Sequence, residues 1–204
     1  MQKADKEKIR QSVIESLPEA KQIQNKELRE KVYDAWTLAL SESGYNSIED
    51  LPSSGAPGFP CVIGNTQSAH LRGVARMATA MAKELKVLFP NFKVDLDDVL
   101  AGGLCHDLGK PFEYNQSNRN RWEADPGESG CPSIRHSVYG VHIALMAGLP
   151  ERIAHIAGAH SMEGEYISRS TACELVHYAD YAFWPTVDKA GLLDGHMPPH
   201  PSKK

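Results

Sequence analysis

Long apolar runs are missing from this chain of 204 residues. None reaches the roughly 18 residues that a membrane-spanning helix needs, so no transmembrane span is expected. Cysteine is scarce: Cys61, Cys105, Cys131 and Cys173 stand far apart and form no Cys-x-x-Cys pair. That excludes a disulfide framework and a thiolate metal knuckle as the organising device. A strong charge of one sign is also missing. The formal net charge of -4 gives no general attraction to nucleic acid or to an anionic membrane, though a local basic pocket for an anion is compatible with it. There is no internal repeat, no P-loop and no dinucleotide-binding glycine pattern. The first eight residues, Met-Gln-Lys-Ala-Asp-Lys-Glu-Lys, lack the apolar core of a secretion signal, and cytoplasmic residence is the expectation. What is present is ordinary for a soluble globular protein: 41% apolar and 24% charged residues, in a length that suits one substantial domain with extensions.

Helical periodicity dominates the rest. Residues 3 to 17 predict a helix, with Ile9, Val13, Ile14 and Leu17 on a partial stripe. A second helix is expected over about 19 to 42, carrying Ile23, Leu28, Val32, Ala35, Trp36 and Ala39 and stopping at Gly44. The two make an N-terminal extension, residues 1–45, that packs on the central domain or offers a homodimer surface. Residues 46–65 include Leu51-Pro52-Ser53-Ser54-Gly55-Ala56-Pro57-Gly58-Phe59-Pro60. Such Pro and Gly density marks an irregular connection, either a surface linker or a segment laid across a pocket.

A long helix is expected from about Thr66 to Leu88, capped by Thr66 or Ser68. Its stripe of Val74, Met77, Met81 and Leu85 includes His70. After Pro90-Asn91, Asp95 caps a helix whose inward face is Val99, Leu100, Gly103 and Leu104. That helix delivers His106-Asp107 at its C-terminal end, where the partial negative charge favours a cation. From Gly109 to Pro132 the pattern stops, and the stretch is too polar for a core helix. It reads equally as a solvated insertion or as a substrate lid. A helix over about 134–147, capped by Ser133, holds His136 in its first turn, and a short helix after Pro150 ends at His160. The last core helix starts at Ser170, carries Asp180 and breaks at Pro185. Residues 185–204, with His196 and His200, read as a flexible tail.

His70, His106-Asp107, His136, His160 and Asp180 therefore lie on or near helices, often at an end. Four imidazoles and two carboxylates suit one or two divalent ions, with Asp107 available as a bridge. An unpaired Asp180 on a core face would be costly, and a metal would satisfy it. Taken singly, each histidine also has a structural reading: His70 as a satisfied core residue, His106-Asp107 as a helix-end hydrogen bond. His177 stands one turn before Asp180 on the same approximate face, placed to orient a water or a carboxylate. His142 and His155 read as structural or surface residues.

His70, His106-Asp107 and Asp180 resemble the H…HD…D motif of HD-domain metalloproteins, over roughly residues 66 to 184. His136 and His160 resemble the two additional ligands of the dinuclear branch. Gly103-Leu104-Cys105-His106-Asp107-Leu108-Gly109-Lys110 is similar to that branch's HD-and-lysine segment. The Gly-Tyr-Pro segment of the HD-GYP signalling class is absent. The resemblance implies an all-α, HD-domain-like helical bundle over residues 66–184 with a metal-centred pocket. It implies that His70, His106, Asp107 and Asp180 bind a first metal, that His136 and His160 bind a second, and that Asp107 bridges.

The chemistry that follows is metal-dependent phosphoester hydrolysis of a small anionic metabolite or nucleotide, with Asp107 and Lys110 as the catalytic pair. Lys110, Arg119, Arg121, Arg135 and Arg169 are the candidate phosphate contacts. The two ions are iron, manganese or magnesium. A di-iron oxygenase acting on a small organic substrate is the main alternative, and a regulatory metabolite-binding module is the third reading. No nucleic-acid polymer or membrane partner is expected.

Overall fold

The structure, a computed structural model, describes residues 3–197. Residues 1–2 and 198–204 lie outside the described residues, and with them His200, the end of the expected tail and the first residues read against a secretion signal. Among the described residues the fold is all-α apart from one two-stranded antiparallel ladder and an isolated antiparallel bridge, Val62 to Leu193. No helix among the described residues is long and apolar enough to cross a membrane.

Helix α1 (Lys3–Ser16) and helix α2 (Lys26–Ser43) open the chain. The expected start of α2 at residue 19 is corrected, because Pro18 opens a separate single turn of 3-10 helix, Pro18–Gln22. Ile23 then buries its side chain from extended backbone. Asn25 restarts the helix, its side chain accepting from the Leu28 amide at 3.1 Å. Gly44 ends it in the left-handed region at φ +74°. Buried Trp36 donates its indole N–H to the Leu104 carbonyl at 2.8 Å. That bond ties α2 to helix α4 (Leu96–Cys105), the element that leads into His106-Asp107. Side chains of α1 and α2 share one buried core with those of the helices that follow.

Residues 46–65 do not form a loose connection. They contain strands β1 (Pro52–Ser54) and β2 (Cys61–Thr66), paired antiparallel, with Ser53 and Ser54 buried. The outer edge of β2 is closed by the chain beyond residue 190. Ile63 N donates to Leu192 O at 2.9 Å, Asp194 N to Cys61 O at 3.0 Å, and Cys61 N to Asp194 Oδ1 at 2.8 Å. Strands this short, interrupted by Pro and Gly, carry too few alternations to be legible in the sequence.

Helix α3 (Gln67–Leu88) packs against α4 and against the last helix, α10 (Thr171–Lys189). Thr66 stands at the N-cap position of α3, but its hydroxyl bonds the Glu49 and Ser68 side chains rather than a helix amide. The polar stretch after Gly109 is helical after all: α5 (Lys110–Tyr114), α6 (Gln116–Ala124) and α7 (Pro126–Ser129). Caps build α6 and α7 where apolar periodicity does not. Asn115 accepts from Asn118 N at 3.0 Å and Asp125 from Glu128 N at 3.1 Å. On α6 Trp122 is buried, its ring 5.7 Å from that of Phe112. Helix α8 (His136–Met146) starts after Arg135, without the expected Ser133 cap, and packs against α9 (Glu151–Ala159). Helix α10 runs through Pro185 to Lys189, so the expected break and the start of the tail both move outward. Just before Pro185, the Phe183 and Trp184 rings each pack 4.7 Å from the His70 ring and anchor that turn.

Candidate metal centre

Five helix ends or faces deliver one cluster. His70 stands in the first turn of α3, His106 and Asp107 directly after α4, His136 at the start of α8, His160 directly after α9, and Asp180 within α10. All six side chains are buried. One glycine makes the convergence possible. A Cβ on Gly109 would lie 2.0 Å from the His136 carbonyl oxygen, so only glycine lets the start of α8 close onto the His106-Asp107 turn.

The Asp107 carboxylate is the centre, and its two oxygens face different partners. Oδ2 lies 3.4 Å from His70 Nε2 and 3.3 Å from His106 Nε2. Oδ1 lies 3.4 Å from His136 Nε2 and 3.6 Å from His160 Nε2. Asp180 Oδ1 is 3.3 Å from His70 Nε2, and the His70 and His106 Nε2 atoms are 3.1 Å apart. Two groupings satisfy the spacing of metal ligands: His70 with His106 and Asp180, and His106 with Asp107 and His160.

The far ring nitrogens say which protons these histidines carry. His106 Nδ1 lies 2.7 Å from Gly103 O, and His160 Nδ1 lies 2.9 Å from Ala157 O. His136 Nδ1 lies 2.6 Å from Glu113 Oε2. Each of these oxygens can only accept, so each Nδ1 donates, and the neutral ring then turns an Nε2 lone pair inward. Three lone pairs therefore converge on carboxylate oxygens that are themselves acceptors. Such a set is mutually repulsive until a cation sits among it, and imidazole with carboxylate is a donor set that divalent metals take. The residues present fit a metal.

The electrostatics agree. Burial raises the Asp107 carboxyl, but positive charge around it, the Lys110 ammonium first, outweighs that and holds it well below the usual carboxylate range. Asp180 is likewise lowered, burial being overcome chiefly by His70. Burial pulls His70 down, and Asp107 and Asp180 more than reverse that, so the field favours positive charge at this point. His136 is lowered, mainly by burial, which keeps it neutral and able to ligate.

The basic residues divide. Lys110 is 2% exposed, and its ammonium lies 3.9 Å from Asp107 Oδ2. It donates to Ser54 O at 2.7 Å and to Gly55 O at 2.6 Å, which lays the β1 segment against the cluster. Arg135 reaches Glu113 at 2.6 Å and Glu163 at 3.1 Å. Arg169 donates to Ala159 O at 2.7 Å and Ser161 O at 3.1 Å, bracing the turn that carries His160. Arg119 and Arg121 contact Glu123 and Asn118 along α6 and are not brought into the cluster by any contact described. His177 Nδ1 lies 2.5 Å from His160 O, so it supports the backbone of a candidate ligand. His142 is exposed on α8, His155 Nε2 accepts from Ser170 N, and exposed His196 lies beside Asp188.

Three residues not singled out in the sequence belong to the surroundings. Gln67 donates its amide to Asp107 Oδ2 at 2.7 Å. It stands three residues before His70, and that helical spacing was a usable signal. Glu113 and Glu163 lie in segments without apolar periodicity, and nothing in the sequence marks them. Burial raises Glu163, but the Ser161 hydroxyl, its own backbone amide and Arg135 hold it at about 2, against an ordinary 4.5. A carboxylate depressed on folding stabilises above its ordinary value and loses that contribution as pH falls toward the folded one. Glu163→Gln is therefore expected to lower the thermal midpoint of the metal-free protein near pH 6, with the deficit shrinking as pH falls from 4.5 toward 2. A deficit independent of pH would show that Glu163 acts through packing instead.

A family model described as the HD domain matches residues 68–182, more than half of the chain. The chain matched no curated protein and no solved structure.

Proposed function

The chain belongs to the HD-domain family, and from that premise we propose that it hydrolyses a phosphoester bond in a small anionic metabolite or nucleotide, using two divalent ions. The observation that carries this reading is the division of Asp107: one oxygen turned to His70 and His106, the other to His136 and His160. In this assignment His70, His106, Asp107 and Asp180 hold one ion, and His136, His160 and Asp107 hold the other. Ions held by these residues would supply an activated water and charge neutralisation at a phosphoryl group.

The chain's own groups keep that centre in order. Gln67 restrains Asp107 Oδ2 by a hydrogen bond. Trp184 donates its indole N–H to Asp180 Oδ1 at 3.2 Å. Lys110 compensates the negative charge of Asp107 while two of its three N–H groups are bonded to the Ser54 and Gly55 carbonyls. Four imidazoles weigh against magnesium, which prefers oxygen ligands, and among the three candidate metals favour iron most.

One observation favours the second reading, di-iron oxidation of a small organic substrate. Lys110, Arg135 and Arg169 already have internal partners, which leaves these three poorly placed for a highly charged ligand. One assay separates the two. Manganese- or iron-loaded protein is tested under argon and under air on phosphomonoesters, cyclic nucleotides and small polyols or phosphonates. Phosphate, nucleoside or nucleotide release under argon is the expected result. Product formed only with matching oxygen uptake would establish oxidation instead. No product from any class under either gas would count against both and favour a regulatory module.

A further inference from the structure

His136 is held differently from the other histidines of the cluster. His106 and His160 direct Nδ1 at main-chain carbonyls, and His70 Nδ1 has no hydrogen-bond partner among the described residues. His136 Nδ1 instead meets a carboxylate, Glu113 Oε2, at 2.6 Å. Glu113 is 1% exposed, a position where a charge persists only if fully bonded. Its second oxygen accepts from Arg135 Nη1 at 2.6 Å, and Arg135 Nε reaches Glu163 Oε1 at 3.1 Å. Arg135 immediately precedes His136, so one stretch of backbone carries both the imidazole and the cation that aims the carboxylate at it.

We infer that Glu113, held by Arg135 and Glu163, is a positioning residue that selectively strengthens the ion on the Asp107 Oδ1 side. It fixes the His136 ring with its proton on Nδ1, points Nε2 inward and makes that nitrogen a better donor. Among the described residues no comparable carboxylate backs His70 or His106, so the effect is confined to one of the two positions. The inference rests on the two-ion reading given above.

Titration of the metal-free full chain with Co2+, followed by calorimetry and by the visible cobalt absorption, tests it. Wild type is expected to take up two ions. Glu113→Gln keeps size and an acceptor but removes the charge; it is expected to weaken one ion roughly 10- to 100-fold and leave the other unchanged. His136→Ala identifies which ion that is by losing it altogether. Arg135→Gln, at a partly exposed site, frees Glu113 without emptying the interior and should weaken the same ion severalfold. It stands in if Glu113→Gln does not fold. If His136→Ala loses one ion while the Glu113 and Arg135 variants bind both as wild type does, or weaken both equally, the positioning role is wrong and the two-ion reading survives. If His136→Ala retains both ions, His136 holds neither and the inference falls; if wild type takes up at most one ion, the two-ion reading falls and the inference with it.

Discussion

Asp107→Ala is expected to remove both ions and to reduce turnover by roughly a thousand-fold or more. The reasoning follows from its two oxygens. A side chain placed between His70 and His106 on one side and His136 and His160 on the other belongs to both positions. Losing metal activation forfeits several kcal/mol of transition-state stabilisation, and each 1.36 kcal/mol is about tenfold in rate. Asp107→Asn is the sharper version. It keeps the volume and one acceptor oxygen but presents an amide N–H where a lone pair is needed, so it should also fail to hold two ions. Metal content per chain is the readout, with far-ultraviolet circular dichroism to confirm that the helices persist. His196→Ala supplies the contrast: that side chain is exposed beside Asp188, and its loss should leave metal content and turnover unchanged. Full metal content in an Asp107→Ala protein would end the assignment.

Lys110→Met is expected to destabilise the metal-free protein by about 3 kcal/mol or more, the scale of breaking a buried charge pair by removing one partner. Burial lowers the Lys110 ammonium, but Asp107 more than offsets this, so the group stays charged inside the protein. Its removal leaves Asp107 short of positive charge and releases the Ser54 and Gly55 carbonyls. The β1–β2 hairpin should then exchange its amide hydrogens faster, most of all around residues 53 to 56. Urea unfolding and hydrogen exchange check the two halves of this expectation. A side chain that served only to contact a substrate anion would instead raise KM, with stability and exchange as in wild type.

Much of the fold was legible because the signals that carry it are local. The long stripes of α3 and α10 and the capping residues Asp95 and Ser170 act through spacings of three or four residues, which a sequence displays directly. The six candidate ligands were singled out for a different reason: His and Asp are types that metals take, and the set resembles the H…HD…D pattern with two further histidines. What stayed hidden depends on contacts distant in sequence. The hairpin of residues 52–66 is defined by Lys110 and by the chain near Asp194, which its Pro and Gly content cannot reveal. Helices α5 to α7 rest on caps and on one buried tryptophan rather than on a stripe. The basic residues looked alike in sequence, yet the fold places Lys110, Arg135 and Arg169 around the cluster and leaves Arg119 and Arg121 with contacts along α6. Pro185 misled in the opposite direction, because tertiary packing carried α10 through it.

The central claim is a two-ion centre shared through Asp107. The most direct measurement is elemental analysis of the full chain purified anaerobically without added metal, with a parallel sample reconstituted with manganese or iron. Two ions per chain, in the native or the reconstituted sample, is the predicted result. A chain that holds at most one ion after reconstitution would contradict the account, because half of the Asp107 carboxylate would then face two histidines with nothing to bind.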